Sequence, residues 1–101
     1  MKITVTVPQT ADGKDVSYST RIDRDEAIRV GAERIGAIRV GRHYYYHADE
    51  TDEVYRLTAT ELAMLGAGEI DGRGSDYSLW CTMTGTLVTR PSAAVRDALG
   101  R

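Results

Sequence analysis

The stretch RHYYYHADETDEVYRL, residues 42–57, decides the fold that we expect for this chain. Three consecutive tyrosines favour an extended strand, and Val54–Leu57 is a second strand-forming segment on the far side of a polar run. We expect the two segments to pair as a β-hairpin, with the polar run at its bend. Such a hairpin presents carboxylates at its tip and tyrosine rings along its strands.

The N-terminal part of the sequence predicts another hairpin. Apolar and polar residues alternate over residues 2–7 and again over 16–22, as they do in strands with one buried face. Asp12 and Gly13 are residue types that accept the backbone angles of a tight turn. Pro8 is expected to end the first strand, because it has no amide hydrogen for the ladder.

A helix is predicted to start after Asp23, which forms a capping-box pattern with Glu26, and to end at Gly36. Small and apolar residues recur along it at helical spacing, so we expect it to lay a narrow small-residue stripe on a sheet. The string AIRVG occurs at residues 27–31 and again at 37–41. We interpret the second copy as extended chain entering the next strand.

A second helix is indicated by Thr58 and Glu61, which form another capping-box pattern. We expect this helix to be about two turns long, with Gly66 and Gly68 closing it. The glycine-rich segment 71–75 that follows is interpreted as a loop.

The C-terminal part predicts a third hairpin and a terminal helix. Residues 77–82 and 86–89 have strand character and would turn near Gly85. Pro91 suits the first position of a short helix, and Gly100 suits the position just past its end.

Composition agrees with a folded globular protein. The chain has 101 residues, of which 42% are hydrophobic and 28% charged, and these are ordinary values for globular domains. We therefore expect a single α+β domain, residues 1–101, in which antiparallel β-hairpins, about six strands, pack with one main helix and two short helices. Cys81 is the only cysteine and no apolar run of about 18 residues exists, which favours a cytoplasmic protein that does not enter membranes.

Charge is distributed unevenly along the chain, although the net charge is only −2. Residues 21–42 contain six arginines and four acidic residues, whereas residues 49–76 contain eight acidic residues and two arginines. Such asymmetry can steer a charged partner to one face of a protein. The acidic half therefore predicts contact with a protein partner that has a basic face.

The predicted partner-binding residues are the acidic residues and tyrosines in and after the hairpin of residues 42–57. Tyrosine is among the residues that most often dominate protein interfaces, and rim carboxylates speed association. The predicted set is Tyr44, Tyr45, Tyr46, Asp49, Glu50, Asp52, Glu53, Tyr55, Glu61, Asp71 and Asp76.

Catalytic and metal-binding chemistry finds little support in the sequence. His43 and His47 would lie roughly 13 Å apart on a strand, too far for one metal ion to bridge. The acidic run lacks the spacing and glycine of a helix-loop-helix calcium site. No nucleophile, base and orienting group can be assembled from the residues present. We therefore expect a non-catalytic protein with no catalytic residue, no metal and no cofactor.

The overall character of the chain resembles the small phage and mobile-element proteins called anti-CRISPRs. The resemblance is carried by the strand over residues 1–7, the acidic cluster over 49–53 and the capped helix over 58–65, in a short, acidic, cysteine-poor chain. It implies inhibition of a CRISPR effector by occupation of a basic nucleic-acid or nuclease-recruitment surface, with carboxylates standing where phosphates would sit. The likeness is one of kind, without a shared motif, and it assigns no residue of a family site.

An alternative function is that of a nucleic-acid-binding regulator or antitoxin-like module that uses the arginine-rich segment 21–42. Arginine and tyrosine together can pair phosphates and stack bases. The net acidity of the chain weighs against this function, because nucleic-acid binders generally carry a basic surplus. An open sheet edge could equally mediate a homodimer.

Overall fold

The computed structural model describes residues 1–11, 14–71 and 85–100, with the backbone alone for 8–11 and 14–17. Within these described residues, six strands form two antiparallel sheets, a two-stranded sheet β1-β2 and a four-stranded sheet β3-β4-β5-β6, and three helices accompany them. The predicted α+β class is therefore confirmed. The elements in chain order are β1 (Lys2–Ala11), β2 (Lys14–Asp23), α1 (Arg24–Ile35), β3 (Ile38–Val40), β4 (His43–Ala48), β5 (Glu53–Leu57), α2 (Ala59–Asp71), β6 (Thr86–Val88) and α3 (Ala93–Leu99).

The first hairpin is longer than the sequence predicted. β1 continues past Pro8 to Ala11, and Pro8 pairs with Ser17 in the register. The prediction that Pro8 ends the strand was wrong. In a two-stranded sheet each strand has a free edge, where a residue without an amide hydrogen is tolerated. The predicted turn residues Asp12 and Gly13 lie outside the described residues.

The hairpin of residues 42–57 forms as predicted. β4 and β5 pair antiparallel, from Tyr44 opposite Leu57 to Ala48 opposite Glu53. Residues directly opposite one another share a face of the sheet, so this register fixes which side chains point toward the core. Four residues, 49–52, remain to connect the strands.

Helix α1 begins and ends where the sequence predicted. The Asp23 carboxylate accepts a hydrogen bond from the backbone amide of Glu26 at 3.0 Å. Gly36 closes the helix with φ of 69°, a left-handed conformation that glycine adopts without steric cost. The second AIRVG copy is extended and contains β3, as predicted.

The small-residue face of α1 packs on helix α2, not on a sheet as predicted. Gly31 and Gly66 meet at the crossing, where a Cβ on Gly66 would overlap the carbonyl oxygen of Ala27. A Cβ on Gly31 would overlap the carbonyl oxygen of Leu62 in the same way. The two glycines therefore allow the helix backbones to touch.

Helix α2 runs for 13 residues, so the prediction that Gly66 and Gly68 close it was wrong. Glycine lowers helix stability by about 1 kcal/mol relative to alanine but does not forbid a helix. Close packing at Gly66 offsets that cost. The start of α2 was predicted correctly, because the Glu61 amide donates to Thr58 Oγ1 at 3.1 Å and the Thr58 amide donates to Glu61 Oε1 at 2.8 Å.

The strand predicted over residues 86–89 forms as β6, which pairs with β5. Its predicted hairpin partner at 77–82 lies outside the described residues. Ser92 caps α3, with its Oγ accepting from the Val95 amide at 3.3 Å. Pro91 therefore precedes the cap and is not the first helical residue, because Ser92 can satisfy an orphan amide and proline cannot. Gly100 ends the helix as predicted, with φ of 75°.

The inner face of the four-stranded sheet joins the core cluster that also includes the first hairpin, α1 and α2, with Leu57 and Leu62 almost fully buried. Helix α3 lies beside β3 and β4. Val54 and Val95 are buried outside that cluster, and Val54 lies on the face of the sheet opposite to Tyr55.

Candidate functional site

The connection between β4 and β5, residues 49–52, forms an acidic turn at one end of the sheet. Its carboxylates are mostly in contact with solvent, since the side chains of Asp49 and Asp52 are 79% and 84% exposed. Asp52 has φ of 57°, a left-handed conformation in which aspartate is one of the better-tolerated residues. The sequence predicted both the position and the exposure of these acidic residues.

His47 organises the acidic turn from the last part of β4. Its side chain is only 8% exposed, and its two ring nitrogens face two different carboxylates. Nδ1 lies 3.1 Å from Asp49 Oδ1, and Nε2 lies 2.7 Å from Asp52 Oδ1. The ring therefore fixes where both carboxylates point. The sequence offered a signal for this role, since acidic residues two and five positions after a strand histidine can curl back over it.

Tyr55 and Glu53 form a second contact beside the acidic turn. The Tyr55 hydroxyl donates a hydrogen bond to Glu53 Oε1 at 3.1 Å. Burial, and then the neighbouring Glu53 carboxylate, raise the pKa of the Tyr55 phenol. Tyr55 is 8% exposed and belongs to the core cluster, so its ring supports the hairpin from inside while Glu53 remains at the surface.

The three consecutive tyrosines divide between the two faces of the sheet, because successive side chains of a strand point to opposite faces. Tyr44 and Tyr46 pack against the core cluster. Tyr45 lies on the outer face beside His43, with ring centroids 6.4 Å apart in an edge-to-face arrangement. All three tyrosines are partly exposed, so each retains some surface that a partner could contact.

The remaining predicted site residues are separated from the acidic turn along the chain. Glu61 lies in the first turn of α2, beyond the end of β5 that is opposite to the acidic turn, and its carboxylate caps the helix. Asp71 is exposed at the last residue of α2. Asp76 lies outside the described residues. Of the predicted acidic set, the turn itself is thus the part that the structure brings together.

A groove of about 460 Å³ opens at the other end of β4, and we call it the arginine groove. Its wall combines helix α1, strands β3 and β4 and the first residue of α2. The charged side chains that line it are Arg24, Arg29, Arg39 and Arg42, with Asp25 as the only carboxylate among the lining residues. Four of the six arginines of residues 21–42 therefore line one concave surface.

Arg39 is held in place within the arginine groove. Its Nε donates to the carbonyl oxygen of Gly41 at 3.1 Å, and its guanidinium lies over the Tyr44 ring, 5.9 Å from the centroid. A cation over an aromatic face is attracted by the electron-rich ring. Arg39 therefore keeps a defined orientation although the residue is exposed.

The other arginines differ in how far acidic neighbours neutralise them. Arg29 pairs with Glu33 at 3.2 Å, and Arg24 lies 3.7 Å from Asp25. Arg34 forms an ion pair with Glu69 that ties α1 to α2. Arg42 is exposed, and within the described part of the chain no carboxylate lies within ion-pair distance of it. The positive charge of the groove is therefore strongest near β3 and β4.

The described ranges 1–11, 14–71 and 85–100 contain neither a metal-binding cluster nor a membrane-spanning helix. No cluster of three histidine, cysteine or acidic side chains there is arranged to hold a metal ion. No helix there is both long and apolar enough to cross a bilayer. His43 and His47 lie on one strand, as predicted, and each contacts different neighbours.

Comparison with protein-family models, with curated proteins and with solved structures gives no match for this chain. The resemblance to anti-CRISPRs therefore stays a prediction. The two charged surfaces are the features of the structure that bear on function.

Proposed function

We propose that the protein is a non-catalytic binding protein whose acidic turn docks on the basic surface of a partner that handles nucleic acid, and so inhibits that partner. The observation that carries the proposal is the arrangement at His47, which orients Asp49 and Asp52 while both remain largely exposed. Carboxylates held in place lose less conformational entropy on binding than freely rotating ones.

Charge complementarity would act mainly on the rate of encounter. Exposed carboxylates raise association rates with a basic partner, and salt screens that effect over about 10 Å at 0.1 M. The partly exposed rings of Tyr44, Tyr45 and Tyr46 would add contact area beside the turn. Aromatic anchors that become desolvated are the usual source of slow dissociation.

An anti-CRISPR-like action fits this proposal, because the partner of such an inhibitor is a nucleic-acid-binding effector with a basic surface. The partner would then be a CRISPR effector, the setting a phage infection and the location the bacterial cytoplasm. The carboxylates of the turn would occupy positions at which the effector otherwise binds phosphates. A binding protein of this kind needs no cofactor.

The experiment is a pull-down from native-host lysate with the tagged protein at low and high salt. The test variant is Glu50→Gln with Asp52→Asn, in which the Asn oxygen can still accept a hydrogen bond from His47. The matched control is Glu26→Gln with Asp97→Asn, which removes the same amount of charge from α1 and α3. At low salt, we expect the turn variant to recover little of the partner and the control variant to recover most of it. Equal recovery of the same partner by both variants would contradict it.

A second candidate function is nucleic-acid binding through residues 21–42. The specific observation in its favour is that Arg24, Arg29, Arg39 and Arg42 line one groove together with Tyr44. A gel-shift titration with single-stranded DNA, repeated with Arg39→Gln, tests it. Retardation that weakens steeply with salt and is reduced by the substitution supports this function.

A further inference from the structure

We propose that the arginine groove is a binding site for a nucleoside phosphate, either a free nucleotide or one nucleotide of a single strand. The inference is independent of the acidic turn. It deepens the second candidate function, on which its strand-bound form rests, by assigning a place and a ligand class. Three properties of the groove support it, namely its available cationic groups, its apolar floor and its size.

The guanidinium groups of Arg39 and Arg42 are available to bind a phosphate in the groove. Arg39 donates a hydrogen bond from Nε to the Gly41 carbonyl oxygen, and its guanidinium lies over the Tyr44 ring. Its two terminal nitrogens are therefore left for an incoming anion. Arg42 is exposed on the adjoining turn. Arginine presents donors in a planar fork that matches the spacing of phosphate oxygens. Both arginines line the groove, so a phosphate bound there has two such forks available to it.

The apolar floor of the groove suits the base and the ribose of a nucleotide. Ile28 and Ala32 from α1 and Ala59 from α2 supply apolar surface between the charged side chains. Inorganic phosphate would gain nothing from that surface, whereas a base or ribose would bury it. The volume of about 460 Å³ also falls in the range of roughly 300–1,000 Å³ that is usual for small-ligand sites.

The charge balance of the groove favours a ligand with more than one negative charge. Arg29 is partly neutralised by Glu33, and Arg24 by Asp25. Arg39 and Arg42 together carry two positive charges that no carboxylate of the described residues contacts at ion-pair distance. A nucleoside diphosphate matches this surplus better than a single internal phosphodiester does.

Isothermal titration calorimetry with three probes tests the inference on the full chain at low salt. The probes are ADP, pyrophosphate and a five-nucleotide single-stranded DNA with a 5′ phosphate. ADP should bind about tenfold tighter than pyrophosphate, which carries a similar charge, and this difference corresponds to burying roughly two methylene groups' worth of apolar surface. Equal affinities for ADP and pyrophosphate would overturn the inference, because they would indicate general anion attraction.

Matched arginine variants locate the binding. Arg42→Gln should weaken ADP about tenfold, the usual effect of losing one charge-assisted contact. Arg56→Gln is the control, because Arg56 pairs with Tyr45 on the opposite face of the sheet and is exposed. It should leave ADP affinity unchanged. Equal weakening by both variants would overturn the assignment to the groove.

The DNA probe separates this inference from the function on which it partly rests. ADP binding without DNA binding supports the nucleotide site and removes the second candidate function. DNA binding that Arg42→Gln and Arg39→Gln leave unchanged keeps that function but overturns the groove as its site. Self-association that disappears in Arg42→Gln, with no ADP binding, would overturn the inference by identifying another copy of the chain as the occupant.

Discussion

The arginine groove and the acidic turn lie at opposite ends of strand β4, and they are built in different ways. The turn belongs to one hairpin, and its register, its exposed carboxylates and the His47 contacts all arise within residues 43–57. The groove combines α1, β3, β4 and the start of α2. Its shape therefore depends on how distant segments pack, whereas the shape of the turn depends on local pairing.

The groove and the turn should respond to different mutations. Changes at the helix crossing should distort the groove while sparing the turn, and changes at the turn should do the reverse. Sites that are more than about 7–10 Å apart and share no partner usually behave additively. The first three of the four changes below test this independence, and all four are ordered from the largest expected effect to the smallest.

Gly66→Ala should have the largest effect. The added Cβ would overlap the Ala27 carbonyl oxygen, so α1 and α2 must separate and the groove between α1 and β4 must change shape. Overpacking of this kind costs about 1–3 kcal/mol and occasionally more, and we expect about 2 kcal/mol or more in the free energy of unfolding by urea denaturation. Helix propensity alone predicts the opposite sign, a gain of about 1 kcal/mol.

The control for Gly66→Ala is Gly36→Ala. Gly36 has open space around its Cβ position, so only its left-handed φ of 69° opposes the change. The expected cost is about 1 kcal/mol, with no effect on the helix crossing. A smaller loss of stability for Gly66→Ala than for Gly36→Ala would contradict the close helix contact.

Thr58→Ala should have the next largest effect. It removes the hydroxyl that accepts from the Glu61 amide, and losing such a cap costs about 1 kcal/mol. Ala59, which follows directly, lines the groove, so the change should also weaken groove ligands. Thr60→Ala, an exposed change one residue inside α2, is the control and should be near neutral by thermal unfolding.

Asp52→Ala should cost about 0.5 kcal/mol, because it removes one contact of His47 but that contact is solvent-exposed. It also leaves alanine in a left-handed conformation that favours aspartate and asparagine. Asp52→Asn should therefore remain closer to the original stability. Nuclear magnetic resonance shifts should change around His47 in both variants and stay constant at Arg39 and Ile28. Shift changes of similar size at the groove would break the proposed independence.

The pH dependence at Asp23 should give the smallest effect. A hydrogen bond from the Met1 ammonium, and then one from the Glu26 amide, lower the pKa of the Asp23 carboxyl. A lowered folded-state pKa means stability that is present above the ordinary carboxyl range and is lost as pH falls through the lowered pKa. Asp23→Asn should flatten this acid dependence of the melting temperature.

The sequence predicted the locally determined parts of this molecule well. The hairpin of residues 42–57, the caps at Asp23 and Thr58 and the end of α1 at Gly36 all follow from neighbouring residues, and all were predicted correctly. The acidic turn belongs to this group, so its position was available from the sequence.

Long-range packing explains what the sequence did not predict. Gly66 has the appearance of a helix terminator, and only contact with Gly31 of another helix makes it a helix-interior residue. The arginines of residues 21–42 were noted as a group, but their convergence depends on where α1 lies relative to β3. Tyr44 and Ala59 could not be assigned to a groove wall before that arrangement was known.

The most direct test of the account is a paired binding measurement on two variants. The turn variant Glu50→Gln with Asp52→Asn and the groove variant Arg42→Gln are each titrated with ADP and with the protein partner recovered from the host. We expect the turn variant to lose affinity for the protein partner and to keep its affinity for ADP. We expect the groove variant to lose affinity for ADP and to keep its affinity for the protein partner. Loss of both ligands by one variant, or no change in either, would contradict two separate binding surfaces.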